Sequence, residues 1–533
     1  MKNIKHKKLY DEVSILRKIT GAVLIVMLIM LTACSSSAPN TATTAPSSTS
    51  ADPSTASNVI RVAVQSDGKT LDPHTATDAG SMHYIENMYS TLMQYNGKYG
   101  EIEPGLAESY TVSDDLLTYT FKLHQGVKFH SSGKEMTSAD VKYSIERIID
   151  KGVRANQFTA VKSIEATDPY TVVFHLKQPM SPFLTYLANP MNGIVDSDIV
   201  KANNNSLDNV DAGTGPFELV KWDKDQQLTL KKNPDYYEKG LPYLDEVDFK
   251  PIADATARTT ALRNNEIDLI LETTEKENKV LENVEGITLK SEPGTFWEYI
   301  GLNVKDPALR DVRVRQAIAN AVDRNQINQL VKLGKATVLD GGNIPPNHWA
   351  YPDIHPYAQR NVEKAKQLLQ AAGSPAISLT LKVGSEYDYQ VQAAQVIKQQ
   401  LAEVGITVKV ESQESSVFFD ALGKGDFQMA VVGWQGFVDP DEYTYNLFHT
   451  GEAYNQQGYS NPEVDALLEK GRTTADEAAR KDIYKQIETT VADEAPMVFL
   501  YMNERAAAYR NNVTGFIVEP TVTSIFLKQT KVE

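Results

Sequence analysis

Apolar and polar positions along the chain predict a sequence of short strands and amphipathic helices. Val59-Ile60-Arg61-Val62-Ala63-Val64 reads as a strand, and the loop "TLDPHTATDAG" follows it. "MHYIENMYSTLM" has helical spacing, with Ile85, Met88, Tyr89 and Leu92 on one side. Tyr119, Phe121 and Leu123 share one face of a strand; Gly126 turns it, and Val127 to Phe129 continues as a second short strand. Ser138 is expected to cap a helix from Ala139 whose inner stripe is Val141, Ser144, Ile145 and Ile148. Tyr170, Val172, Phe174 and Leu176 alternate along another strand, and "GTGPFELVKWDKDQQLTLKKNPDYY" reads as two strands around a turn at Asp223 to Asp225. The clearest helix starts near Asp311, with Val314, Ala317, Ile318, Ala321 and Val322 at i, i+3, i+4, i+7 and i+8. A helix from Asn361 to Ala372 is stopped by Gly373. Strand Ile377 to Val383, helix Gln390 to Val404 and strand Ile406 to Val410 follow. A strand, a crossover helix and a strand in that order predict an α/β layer. No internal repeat is visible.

The N-terminal segment has a different pattern. Six basic residues between Lys2 and Lys18 precede the apolar run Ala22 to Leu31, which has the length of a signal-peptide core and is short for a membrane span. Leu31-Thr32-Ala33-Cys34 resembles the lipobox of bacterial lipoproteins, and the resemblance implies cleavage before Cys34 and a lipid on its sulfur. Cys34 is the only cysteine, so no internal disulfide is possible and the fold must rest on its core. Residues 34–57 are rich in Ser, Thr, Ala and Pro and cannot pack; as a flexible coil they would span roughly 25–30 Å.

Charge narrows the partners. The chain carries −16, and the leader to Ala33 contributes six basic and two acidic residues, so the remainder carries −20. Such a surface repels nucleic acid and anionic lipid. Membrane attachment is therefore assigned to the lipid on Cys34 rather than to a basic patch.

The sequence holds no HExxH, no phosphate loop, no GxSxG elbow and no GxGxxG after a strand. His124, His130, His348 and His355 lie without a second ligand at zinc-like spacing and read as surface or internally satisfied residues. We expect no catalytic residue, no resident cofactor and no metal ion. The chain has 25 tyrosines, and Tyr351, Tyr357, Tyr387, Tyr389, Tyr443 and Tyr445 fall in or beside expected loops. Aromatic rings with a polar tip suit a wet binding cleft, and they equally suit the seams of a large fold.

"GLAESYTVSDDLLTYTFKLHQGVKFHSSGKEMTSADVKYSIERI" resembles the signature block of the bacterial extracellular solute-binding proteins of family 5, which serve peptide, nickel and opine ABC importers. "GTGPFELVKW", "GLNVKDPALRDVRVRQAIANAVDRNQI", "AQVIKQQLAEVGITVKV" and "GYSNPEVDALLEKGR" resemble later blocks in the same order, over about residues 58–525. The resemblance implies an α/β, two-lobed periplasmic-binding-protein-like clamp. Its N-terminal lobe would span 58–303 with an extra subdomain at about 91–205, its second lobe 304–508, and a tail, 509–533, would return to the first lobe. Crossings near Asn303 and Ala508 would form a hinge. The implied function is capture of a small peptide and delivery to an ABC permease with separate ATPase subunits. The protein would be a monomer on the outer face of the cytoplasmic membrane, or periplasmic. Oligosaccharide, opine or nickel-chelate ligands stay open, as does an extracytoplasmic enzyme or chaperone on the same scaffold.

In peptide-binding relatives a Trp-x-x-Asp arrangement places an aspartate on the peptide ammonium. In "GWQGFVDPDEY" Trp434 is followed by Gln435, Gly436 and Phe437, so phenylalanine takes the aspartate position. Asp439 or Asp441 could supply the charge instead. Asp439-Pro440-Asp441-Glu442 also has the pattern of a helix N-terminus: cap, proline at the first position and glutamate at the third. The expected ligand-contacting residues are thus Trp434, Gln435, Phe437, Asp439, Asp441 and Tyr443, joined by Trp297 and Trp349.

Overall fold

The computed structural model describes residues 58–533 except Gly100, Pro375, Phe437, Val522 and Thr523. The expected leader, Cys34 and the tether lie outside these residues.

Two long strands organise the molecule. Ile287–Leu302 and Met497–Arg510 run antiparallel through the centre of an eleven-stranded sheet. They pair from Ile287 with Arg510 to Pro293 with Glu504, lose register, and resume at Trp297 with Met502. Before the break their neighbours are Leu269–Ile270, Val59–Val64 and Glu246–Pro251; after it they are Met429–Gln435, Ile377–Gly384 and Ile406–Gln413. One sheet thus serves two lobes. The lobe change sits at Pro293–Trp297 opposite Met502–Glu504, ahead of the positions Asn303 and Ala508 expected from the sequence. Residues 297–302 pair with Met429–Gln435 and belong to the second lobe. The difference has a simple cause: each strand is unbroken in sequence, and only its change of partners marks the boundary.

Each half of the sheet buries its own core. In the N-terminal lobe Ile60, Val62, Tyr84, Phe217, Val247 and Phe249 pack together. The second lobe has one core on each sheet face: Ile318, Leu381, Ile397 and Val431 on one side, Trp297, Tyr443, Tyr484 and Phe499 on the other. The subdomain is an antiparallel sheet, in order Ala107–Val112, Thr118–Leu123, Thr171–Leu176 and Val161–Asp168, with helix Ser138–Lys151 against it. Val141, Ile145 and Ile148 from the helix meet Phe121 and Phe174 from the sheet. The tail packs on the N-terminal lobe and the subdomain: Leu527 joins the lobe core and Phe526 that of the subdomain.

Several local expectations shift. The first helix is Ala79–Met88 and stops at Tyr89, which is extended, so Leu92 is buried outside it. Val127 to Phe129 contributes only an isolated bridge from Lys128 to Glu135. The cap of helix Ser138–Lys151 is Thr137, one residue earlier than expected, in a capping box with Asp140. Helix Val312–Ala321 starts, as its pattern indicates, after an Asp311 cap.

Candidate functional site

The segment around Trp434 ends the strand Met429–Gln435 and leads into helix Pro440–Phe448. Asp439 caps this helix, its carboxylate accepting the Asp441 N–H at 3.0 Å, and Glu442 reaches back to the Asp439 N–H at 3.0 Å. The capping box expected from the sequence is therefore present. Both aspartates also meet arginines. Arg480 Nη2 donates to Asp439 at 2.7 Å, and Arg472 grips Asp441 with Nε and Nη2 at 2.8 and 2.9 Å. Asp439 and Asp441 are buried, and Glu442 is half-buried. Burial pushes Asp441 up, and it pushes Glu442 to about 8. Neither Asp439 nor Asp441 thus presents a free carboxylate to a ligand ammonium here.

The glycines flanking Trp434 have a steric cause that the pattern did not suggest. A Cβ on Gly433 would lie 2.2 Å from Phe296 Cζ, and one on Gly436 would lie 2.3 Å from Tyr443 Cζ. Each glycine is the seat of an aromatic ring. Trp434 and Trp297 face each other across paired strands and point to the same sheet face. Trp297 is fully buried and stacks on Tyr443 at 5.2 Å and 16°. Trp434 is half-buried, donates its indole N–H to Glu442 O at 3.2 Å and meets Tyr454 edge-on. Trp349 is half-buried, with the Arg480 guanidinium 5.3 Å from its ring centre. Tyr443 is fully buried, its hydroxyl 2.5 Å from that of Tyr99 in the other lobe. Trp297 and Tyr443, expected at a ligand, are core residues of the second lobe in this structure. Phe437 lies outside the described residues.

A cavity of about 250 Å³ opens at the junction of the lobes. Its walls come from Glu272 to Glu275 in the N-terminal lobe, Lys332 in the second lobe, and the two long strands at Gly294 to Phe296 and Asn503 to Ala506. Sequence reasoning missed these residues, apart from Gln435 behind the wall, which donates to Thr295 Oγ1. The cavity carries both signs of charge. Arg505 pairs with Glu272, which His83 also approaches at 3.5 Å. Burial opposes the charge of Glu272, but Arg505 and His83 outweigh it and hold the carboxyl at about 2. Lys332 reaches Glu275 at 3.2 Å and the fully buried Glu298 at 3.4 Å. Burial raises Glu298 despite Lys332 and a hydrogen bond from Tyr501. A larger hollow, about 620 Å³, is lined by second-lobe residues such as Gln316, Tyr357 and Asp493, with none from the N-terminal lobe.

The histidines are held by ordinary partners. His130 meets Asp211 at 2.9 Å, His348 meets Val438 O at 2.7 Å, and His355 meets Asp340 at 2.7 Å. Among the described residues no helix is long and apolar enough to cross a membrane.

Two lobes on a shared pair of strands, with a charged cavity at the joint, have the architecture of a periplasmic-binding-protein clamp. The comparisons agree. The family model described as bacterial extracellular solute-binding proteins, family 5 Middle, matches residues 101–455, and the chain belongs to family 5 of these proteins. It is 31% identical over 479 residues to the glutathione-binding protein GsiB of Escherichia coli O6:K15:H31, covering 87% of this chain and 93% of the relative. The solved structure of the periplasmic binding protein DppA from Helicobacter pylori with peptide STSA superposes with a TM-score of 0.76 at 30% identity, covering 90% of this chain and 98% of DppA. The binding protein AgaA from A. tumefaciens R10, in complex with agropinic acid, gives a TM-score of 0.76 at 31% identity, covering 89% and 99%. These relatives are solute-binding proteins rather than enzymes.

Proposed function

We propose that this protein captures a small peptide with free charged ends in the cavity at the lobe junction and delivers it to an ABC importer. The observation that carries the reading is the placement of cations and carboxylates from both lobes around one cavity. Lys332 and Arg505 suit the ligand carboxylate; Glu275 and Glu504 suit its ammonium, in place of Asp439 and Asp441. A buried ammonium without such a partner would cost several kcal/mol. At about 250 Å³ the space lies below the range of about 300–1,000 Å³ usual for drug-sized ligands, which favours a peptide of very few residues. The relatives named for glutathione and crystallised with STSA support a short peptide. Ligand that touches both lobes favours the closed arrangement by its differential affinity for it, which the permease can read. ATP hydrolysis belongs to partner subunits.

Mass spectrometry of protein purified without denaturant tests the ligand. A co-purifying short peptide is expected, and Lys332→Ala should weaken calorimetric binding of that peptide at least about tenfold. A non-peptide ligand, or unchanged affinity in Lys332→Ala, would overturn the assignment.

We also propose that lipid on Cys34 anchors the protein to the outer face of the cytoplasmic membrane. Cys34→Ser should leave the protein folded and move it from the membrane fraction to the soluble fraction. Retention of the variant on membranes after a high-salt wash would refute the anchor.

A further inference from the structure

The lobes also touch at a second place, distant from the long strands in sequence. Tyr99, between subdomain-side strands Met93–Tyr95 and Ile102–Pro104, sets its hydroxyl 2.5 Å from that of Tyr443 on second-lobe helix Pro440–Phe448. Val438, two residues before that helix, is buried in the same cluster as Phe183 and Tyr186 of the subdomain, apart from the cores of its own lobe. The Ser181 N–H of the subdomain donates to Arg472 O at 2.9 Å, and Arg472 is bound to Asp441 on the same helix. The Ser181 hydroxyl also donates to Gly471 O at 3.5 Å, so the contact is an apolar plug, a hydroxyl pair and two hydrogen bonds from Ser181, all converging on one helix start.

This contact connects to the cavity by a short route. The Tyr443 ring rests on Gly436 and stacks on Trp297. Trp297 directly follows Phe296, which lines the cavity. Successive residues of a strand face opposite sides of a sheet. The cavity wall and the base of the clasp are thus the two faces of one dipeptide, at the point where the long strands lose register.

We propose that the inserted subdomain is a clasp that holds the second lobe closed, and that Phe296–Trp297 transmits the state of the cavity to it through Tyr443. This rests on reading the cavity as the ligand site. The clasp is small enough to open: separating the lobes here breaks three hydrogen bonds and exposes the Val438 side chain with the subdomain surface it covers. It gives the subdomain, which supplies no residue of the cavity wall, a role in setting how often the ligand-free protein is closed. A tenfold change in that ratio corresponds to about 1.4 kcal/mol.

Distance measurements on the full chain test the clasp without any ligand. In a Cys34→Ser background, spin labels at Lys142→Cys on the subdomain and Lys470→Cys on the second lobe report their separation by double electron–electron resonance. The parent should give a narrow short-distance population. Tyr443→Phe and Val438→Ala should each shift at least about three- to tenfold more molecules to longer distances, and so should Phe296→Ala through Trp297. Lys366→Ala, on second-lobe helix Val362–Ala371 and paired only with Glu363 of that helix, should leave the ligand-free distribution unchanged. Identical distributions in parent, Tyr443→Phe and Val438→Ala would overturn the clasp; an effect of those two without one of Phe296→Ala would overturn the transmission. Both outcomes are read without peptide, so they stand apart from a failure of the proposed ligand.

Discussion

Replacing Arg480 by leucine should lower the unfolding free energy by about 3–5 kcal/mol, the loss expected when a buried ion pair is left with one charge. Arg480 and Asp439 are 7% and 4% exposed. The guanidinium also donates to Gly471 O at 3.0 Å. Leucine fills part of the volume and leaves both the Asp439 carboxylate and that carbonyl short of a donor. Asp439→Asn alone keeps a helix cap of comparable quality but strands the Arg480 charge. The double variant Asp439→Asn/Arg480→Leu should therefore recover about half or more of the Arg480→Leu loss, because it removes both charges together. Denaturant melts of the three variants give the coupling directly. A loss below about 1 kcal/mol in Arg480→Leu would show that this pair does not hold the turn.

The second large effect concerns pH. Glu488, on helix Glu477–Glu494, is fully buried under Gly342 and Asn343, and burial pushes its carboxyl up to about 8. Its Oε2 accepts the Asn343 N–H at 3.0 Å, while Oε1 has no hydrogen-bond partner among the described residues. The folded state holds the proton more tightly than the unfolded chain, whose glutamates titrate near about 4.3. The associated stability is complete below that value and is lost as pH rises towards about 8. Glu488→Gln keeps an acceptor for Asn343 and carries no ionisable group. It should match the parent near pH 4 and exceed it by about 2 kcal/mol or more at pH 9. Glu442 titrates in the same sense in both proteins, so the difference between them isolates Glu488. Equal pH dependence in the two would show that Glu488 is ionised in the folded protein throughout.

What the sequence made legible follows the range of the interaction. The capping box at Asp439 and Glu442 and the stripe of helix Val312–Ala321 lie within a few turns of chain, and both were readable. The arginines that occupy the two aspartates lie 41 and 31 residues away, and no local pattern points to them. The glycines on either side of Trp434 and Gln435 serve rings from Phe296 and Tyr443, which only packing reveals. The two-lobed clamp was legible because several long blocks resemble one family in order. The cavity was not, because Glu272, Lys332 and Arg505 are common charges on separate segments that the long strands bring together.

Those strands have a consequence for how the molecule assembles. Ile287–Pro293 and Glu504–Arg510 are the two arms of one antiparallel hairpin, and the whole second lobe is its loop. The N-terminal sheet has a gap that only the later arm fills, since Ile270 pairs with Ala508 and Leu269 with Tyr509. As the chain is synthesised, that lobe must wait for its missing strand. Closing so long a loop from a random coil is slow, although its entropic cost grows only with the logarithm of length. A second lobe that folds first sets Met502 beside Trp297 and so brings the missing strand to the gap. On this topology the later-made lobe delivers the strand that completes the earlier one.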